Sequence, residues 1–256
     1  MDSFLQKRER IDDVNCNIRL AQNPDGLTFG TDALLLASYV RARPGAAAVE
    51  IGGGSGIVSL LCLSRNTIAS VDCIEVQPAY AALIEKNAAM NGMQTRLHAF
   101  CDDVRHYAQR PDRIGKADVV FCNPPYMKTT GLKNRAPEKN IARHEVFGGI
   151  EEITAAAARL LRYGGKFFCV YRPDRIVDLL AALRKNRLEP KRMTLVHADA
   201  ATPPCLLLLE ATHGGRCSAK VTRPLFIYRA PHPQPRIYTE EMKGVMRGEP
   251  LPQATE

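Results

Sequence analysis

Between Ala47 and Ala211 the chain alternates short, unbroken apolar runs with longer stretches in which apolar residues recur every three or four positions. The runs Ala48–Ile51, Ser70–Glu75, Arg96–Phe100, Asp118–Cys122, Lys166–Tyr171, Lys191–His197 and Pro204–Ala211 predict strands. Helical periodicity marks Gly56–Arg65, Pro78–Asn91, Ile150–Leu161 and Pro173–Asn186. Strands of this kind, separated by amphipathic helices, predict an α/β fold: a doubly wound, seven-stranded, mostly parallel sheet covered on both faces.

Ahead of this core, two extended stretches between Ile11 and Gly30 flank Asn23-Pro24-Asp25-Gly26, whose turn chemistry predicts a hairpin. Thr31 to Arg41 follows as a helix with Ala33, Leu34, Leu36, Ala37 and Val40 on one face. Beyond Thr222, six prolines and several charges predict an extended surface segment ending in a short helix near Glu240–Met246. The division expected is residues 1–45 as hairpin and helix packed on the core, 46–222 as the core, and 223–256 as the tail. There is no internal repeat.

Composition adds limits. A chain of 256 residues with 45% hydrophobic positions can bury a large core without disulfides or metals. No apolar run approaches the ~20 residues of a membrane span, and the first residues lack the apolar stretch of a signal peptide. The expectation is a cytoplasmic protein with no membrane contact. The eight cysteines are scattered without Cys-x-x-Cys or Cys/His spacing, which predicts buried, reduced thiols and no metal site. A formal charge of +8 favours a polyanionic partner, although many proteins carry such a charge for solubility alone.

The candidate chemistry begins at Val49-Glu50-Ile51-Gly52-Gly53-Gly54-Ser55-Gly56, after the first core strand and before a helix. Glycines at 52, 54 and 56 allow a sharp turn and close approach to a ligand, and the helix start offers free N–H groups. Dinucleotide enzymes use a related loop, but this one is spaced G-x-G-x-G and follows an acid, Glu50. Glu75, ending the second strand, can accept both hydroxyls of a ribose, and Asp102, after the third, an adenine amino group; Asp103 competes for that second role. Any one strand-end acid can instead cap the following helix. Three of them at successive strand ends point to a nucleotide-like ligand.

Directly after the fourth strand stands Asn123-Pro124-Pro125-Tyr126. An exocyclic amino nitrogen is a poor nucleophile because its lone pair is delocalised into the ring. Two acceptors on its hydrogens, the Asn123 side-chain oxygen and the Pro124 carbonyl, would push it toward tetrahedral geometry and expose that pair. The prolines hold the carbonyl direction in advance. Tyr126 supplies a stacking face for a base. The alternative reading is a rigid two-proline turn.

These residues resemble the (Asp/Asn/Ser)-Pro-Pro-(Tyr/Phe) signature of amino-directed methyltransferases, and the glycine loop resembles the first motif of class I methyltransferases. Across most of its length the chain is similar to the bacterial tRNA(Val) adenine-N6 methyltransferases. The likeness is carried by Asp25–Ala37, Ile74-Glu75-Val76-Gln77, Asn123–Tyr126, Ile141–Glu145, Leu160–Gly165, Tyr171-Arg172-Pro173 and Tyr238–Met242. It departs at Gly53, where threonine or cysteine is more usual; the expectation is a looser loop that still binds. The resemblance implies a Rossmann-like class I fold and S-adenosylmethionine as cofactor. It implies methylation of an adenine, at position 37 beside the anticodon, by a monomer or weak dimer. Cofactor contacts fall on Thr31, Asp32, Glu50, Gly52, Gly54, Gly56, Glu75, Asp102 and Asn123.

The basic loop with Lys128, Lys133, Arg135, Lys139, Arg143 and His144 leaves this site, and with Pro125 and Tyr126 it is expected to meet the tRNA anticodon loop. A solvated loop is the alternative. The second basic run, Arg184, Lys185, Arg187, Lys191 and Arg192, is read as decorating a helix and its exit. A glutamine N5-methyltransferase acting on a release factor needs the same chemistry, but only about forty residues precede the core, few for a separate protein-binding domain. Another RNA or DNA amino-methyltransferase and a non-catalytic RNA-binding module complete the alternatives. An O-methyltransferase has no use for Asn-Pro-Pro-Tyr.

Overall fold

A computed structural model describes residues 9–15, 18–23, 28–124, 149–230 and 236–252. The chain opens with β1 (Arg10–Asn15) and β2 (Ile18–Gln22), paired antiparallel with Asn15 opposite Ile18. The hairpin expected from the sequence therefore exists, but its strands pair on either side of Asn15 and Ile18, and Asn23-Pro24-Asp25-Gly26 comes after the second strand in the sequence. A strong turn signal marks where a chain can reverse, not where a strand pair needs it to.

After α1 (Thr31–Tyr39) come β3 (Ala46–Ile51), α2 (Ile57–Ser64), β4 (Ile68–Glu75), α3 (Pro78–Met90), β5 (Leu97–Cys101), α4 (Val104–Tyr107) and β6 (Ala117–Cys122). They are followed by α5 (Ile150–Leu160), β7 (Leu161–Tyr171), α6 (Ile176–Lys185), β8 (Leu188–His197), β9 (Pro204–His213), β10 (Lys220–Val221), β11 (Leu225–Phe226) and α7 (Glu240–Met246). The order in the main sheet is β5-β4-β3-β6-β7-β9-β8-β10, with β11 also on β8. In this sheet, among the described residues, only β9 runs antiparallel to its neighbours. The seven long strands are those expected; β10 and β11, two residues each, add to the count. Pro173 opens a single 3-10 turn, Pro173–Arg175, before α6 begins.

The strands are apolar on both sides because both sides are covered. Val119, Phe121, Phe168 and Val170 face one core with α1, α2 and α3, whereas Val120, Cys122, Phe167 and Cys169 face the other with α4, α5 and α6. The segment expected as a surface tail is stitched into the first core: Leu225, Met242, Val245 and Leu251 are buried there, and the Leu251 N–H bonds to the Ser38 carbonyl. Its prolines suit an irregular path, while its few spaced apolar residues anchor it. Cysteines 62, 73, 122 and 169 are buried thiols, but Cys101, Cys205 and Cys217 are exposed, contrary to expectation, and Cys16 lies outside the described residues. The second basic run is a decorated helix exit, with Lys185 on Glu151, Arg184 on Glu189, and Arg192 between Glu210 and the face of Tyr39. Among the described residues no helix is long and apolar enough to cross a membrane, and no group of acids, histidines and cysteines is arranged to hold a metal.

The small hairpin is attached to the core by its buried Ile18, Leu20 and Ala21 and by two asparagines of α3. Asn87, fully buried, accepts from the Ala21 N–H (2.8 Å) and donates to the Ala21 carbonyl (3.0 Å) and the Ser55 carbonyl (2.9 Å). Asn91 repeats the pattern on Arg19, accepting from its N–H and donating to its carbonyl at 2.7 Å. Side-chain amides thus act as one more strand along the edge of β2. Asn87→Ala leaves three buried backbone groups unpaired, so urea denaturation should show a loss of about 3 kcal/mol. A loss below about 1 kcal/mol would mean water replaces the amide.

Candidate active site

Four neighbouring parallel strands end in step. Ile51 lies opposite both Cys122 of β6 and Ile74 of β4, and Glu75 lies opposite Cys101 of β5. From β3 the chain moves outward through β4 and β5, then returns to β6 on the other side. β3 and β6 therefore border the crevice where open α/β sheets bind ligands. Over it sit the ends of all four strands: Glu50 and the glycine loop, Glu75, Asp102, and Asn123.

In the loop, Gly52, Gly54 and Gly56 adopt φ values of +74°, +54° and +79°, which a residue with a Cβ reaches only with strain. A Cβ on Gly52 or Gly54 would meet nothing within 4 Å, so the outer side of the turn borders open space. Gly53 is a glycine for another reason. Its φ lies outside the left-handed region, but a Cβ there would overlap the Cys73 sulfur and come within 3.0 Å of the Ile84 Cδ1. The Gly52 and Gly53 N–H groups both bond to the Ile74 carbonyl, at 2.9 and 3.3 Å. The departure at residue 53, expected to loosen the loop, instead seats it: the missing side chain is replaced from below by Cys73.

The acids divide by role. Glu75 is buried, and its two carboxylate oxygens accept from the Gly54 N–H (3.0 Å) and the Gln77 N–H (2.9 Å). Both bonds aim the carboxylate along the rim of the loop. Burial raises its pKa, partly offset by these N–H donors. Glu50 sits lower, 2% exposed, and one of its oxygens accepts from the Ser59 N–H (3.1 Å), the Ser59 hydroxyl and the Cys73 thiol (3.5 Å). Ser59 is the third residue of α2, so Glu50 caps that helix from the preceding strand, the structural role weighed against ligand contact. Asp103 likewise caps α4 through the Arg105 N–H and is paired with the Arg105 guanidinium, which holds its carboxyl below the usual range. Asp102, one-third exposed, holds the Asp103 N–H and lies 3.9 Å from His106.

Asn123 follows β6, and its side-chain NH2 donates to the Asp32 carboxylate at 2.9 Å. Asp32 stands in the first turn of α1, beside Thr31, the helix's first residue. Pro124 is buried next to Asn123. Pro125, Tyr126, Lys128, Lys133, Arg135, Lys139, Arg143 and His144 lie outside the described residues. Ser59, Cys73 and Asn87 carry no motif and were missed by sequence reasoning. Their trace is a polar or small residue breaking an apolar face, as in Ile57-Val58-Ser59-Leu60.

Comparison with known proteins supplies independent findings. Residues 36–150 match the family described as Conserved hypothetical protein 95. A tRNA1(Val) (adenine(37)-N6)-methyltransferase of Bacteroides fragilis is 30% identical over 186 residues, 73% of this chain and 77% of that protein. One from a Shewanella strain is 26% identical over 214 residues, covering 82% of this chain and 85% of the relative. Among solved structures, a predicted O-methyltransferase from Agrobacterium tumefaciens superposes with a TM-score of 0.69 at 20% identity, covering 85% of this chain and 96% of its own. At that identity the likeness is one of fold.

Two measurements test this geometry. Gly53→Ala should weaken binding of S-adenosylhomocysteine by about tenfold or more as the loop lifts from β4, and adding Cys73→Ala should restore most of it. Strictly additive losses would show that Cys73 is not what fills the space. The second concerns Glu50, whose pKa burial pushes up to about 7 against the hydrogen bonds from Ser59 and Cys73. The unfolded carboxyl ionises near 4.5 while the folded one stays protonated, so stability declines as pH rises through that window and levels off above it. The stability of the wild type relative to Glu50→Gln should therefore fall between about pH 5 and about pH 8. A flat difference would mean the carboxyl is already ionised in the fold.

Proposed function

The chain belongs to the family of tRNA1(Val) (adenine(37)-N6)-methyltransferases, and from that premise we propose that it methylates the exocyclic N6 of adenine 37, beside the anticodon of tRNA(Val), using S-adenosylmethionine. The observation that carries the reading is the arrangement of Asn123 next to the glycine loop, with Glu75 anchored on that loop's own N–H.

The residues present suit such a cofactor. The loop turns its unobstructed side outward at Gly52 and Gly54, and Glu75 and Asp102 offer carboxylates for ribose hydroxyls and an adenine amino group. Thr31 and Gly56 border the same edge, and the capping of α2 by Glu50 makes it a support for the loop. When bound, S-adenosylmethionine supplies an electrophilic methyl group on a sulfonium centre and departs as a neutral thioether. The chain's part is to prepare the acceptor. The Asn123 Oδ1 and the Pro124 carbonyl accept the two N6 hydrogens, drawing the lone pair out of conjugation. The nitrogen loses a proton after taking the methyl, when the cationic product is strongly acidic, so no strong base is required.

Tyr126 stacks on the flipped base, and Pro125, Lys128, Lys133, Arg135, Arg143 and His144 contact the anticodon loop; these assignments rest on the sequence. The enzyme acts in the cytoplasm as a monomer or weak dimer. Labelled methyl transfer to unmodified tRNA(Val), with a release-factor protein and DNA as parallel acceptors, tests the reading. N6-methyladenosine at position 37 alone is the expected product, and label in the protein acceptor would move the assignment to glutamine. Asn123→Ala should cut turnover by about 100-fold or more with cofactor affinity within a few-fold of normal. Near-normal turnover would remove Asn123 from the chemistry.

A further inference from the structure

A side-chain amide has two ends of almost the same shape, one donating and one accepting, and its neighbours decide which end faces a substrate. An amino group presents hydrogens, so at this site only the oxygen end of Asn123 is productive. The NH2 end donates to the Asp32 Oδ2 across 91 residues of sequence. Turning the amide over would set its oxygen against a carboxylate oxygen, acceptor on acceptor. We infer that Asp32 is a positioning residue for the methyl acceptor: it holds the Asn123 amide with Oδ1 toward the target nitrogen. This rests on the amino-methylation reading above, and it replaces the cofactor contact expected for Asp32 from the sequence.

Two further features support it. Asp32 is mounted on a rigid base, since Ala33, Leu34, Leu35 and Leu36 directly after it are all buried. The residue before the helix is Gly30, at φ −111° and ψ −177°, an extended conformation open to any residue. It is glycine for room: a Cβ there would lie 2.6 Å from the Asp32 Oδ1. A side chain at position 30 would push the carboxylate away from Asn123 while leaving the helix intact. Gly30, Asp32 and Asn123 thus form one positioning device across the crevice.

The test compares full-length wild type, Asp32→Ala, Asp32→Asn, Gly30→Ala, Asn123→Ala and the Asp32→Ala/Asn123→Ala double variant. Asp32→Ala should lower kcat on tRNA(Val) by about 10- to 100-fold, the orientation supplied by one charge-assisted hydrogen bond. The KM for tRNA and the affinity for S-adenosylhomocysteine should stay within about twofold. Asp32→Asn, which still offers a carbonyl oxygen to the Asn123 NH2, should recover part of the loss. Gly30→Ala should follow Asp32→Ala with an unchanged unfolding midpoint, and Asp32→Ala should add nothing to Asn123→Ala. Cofactor affinity that falls in step with activity, or losses that add, would overturn the inference in favour of a cofactor contact.

Substrate-free NMR provides a readout that does not depend on the acceptor. The Asn123 side-chain NH2 resonance, assigned by its disappearance in Asn123→Ala, should move and exchange faster with solvent in Asp32→Ala. An unmoved resonance overturns the pairing whatever the substrate. A wild type silent on every tRNA sinks the tRNA reading, and the resonance still decides the pairing.

Discussion

The glycine loop lies flat on β4 because nothing projects from residue 53, and much of the site is set by that contact. With the Gly52 and Gly53 N–H groups on the Ile74 carbonyl and the Cys73 sulfur in the space a Cβ would need, the turn has one height above the sheet. That height brings the Gly54 N–H to Glu75 and starts α2 where the Ser59 N–H meets Glu50. It also places the Ser55 carbonyl within reach of Asn87. Interiors are packed closely enough that a single added carbon would have to move several of these partners together.

The two halves of the proposed reaction rest on different supports. The cofactor side is held from beneath by β3, β4 and α3, through Glu50, Cys73 and Asn87. The acceptor side is held from across the crevice by α1, through Asp32. Groups that must meet to within a fraction of an ångström in a transfer reaction are positioned by elements that are themselves buried, so their side chains have little room to wander. The cost appears at Glu50, whose carboxyl is so thoroughly desolvated that it stays protonated up to about 7.

The core was legible because its signals are local. Apolar runs with both faces covered, a glycine loop between strand and helix, and acids at strand ends all lie within a few residues of one another, and all seven long strands were found. Contacts between distant residues left little trace. That a strand-end acid can cap the next helix is open from the sequence, but not that Glu50 does so through Ser59, nine residues on, and nothing near Gly53 indicates that Cys73 fills its place. The hairpin is placed too late by the sequence because Asn-Pro-Asp-Gly is a stronger local signal than anything near the observed Asn15–Ile18 pairing. The tail was read as surface because its buried Leu225, Met242, Val245 and Leu251 are spaced too widely to form a pattern. Asp32 was noticed only through a family likeness, which put it against the cofactor; the hydrogen bond to Asn123 needed the fold.

These supports converge on the stretch before the core. β2 accepts the Asn87 amide that also holds the loop at Ser55, and α1, a few residues later, carries the carboxylate that meets Asn123. A segment set apart in the sequence reading as an addition to the core therefore touches both the cofactor side and the acceptor side of the crevice. Its attachment combines apolar packing, with Ile18 and Leu20 in the first core, and these polar contacts, and hydrogen bonds specify direction in a way apolar packing does not. The buried residues of α1 secure the helix to the sheet, and the Asp32 carboxylate adds a directed contact to Asn123. On that argument β2 and α1 support the proposed site as much as the glycine loop does, although neither is a strand of the main sheet.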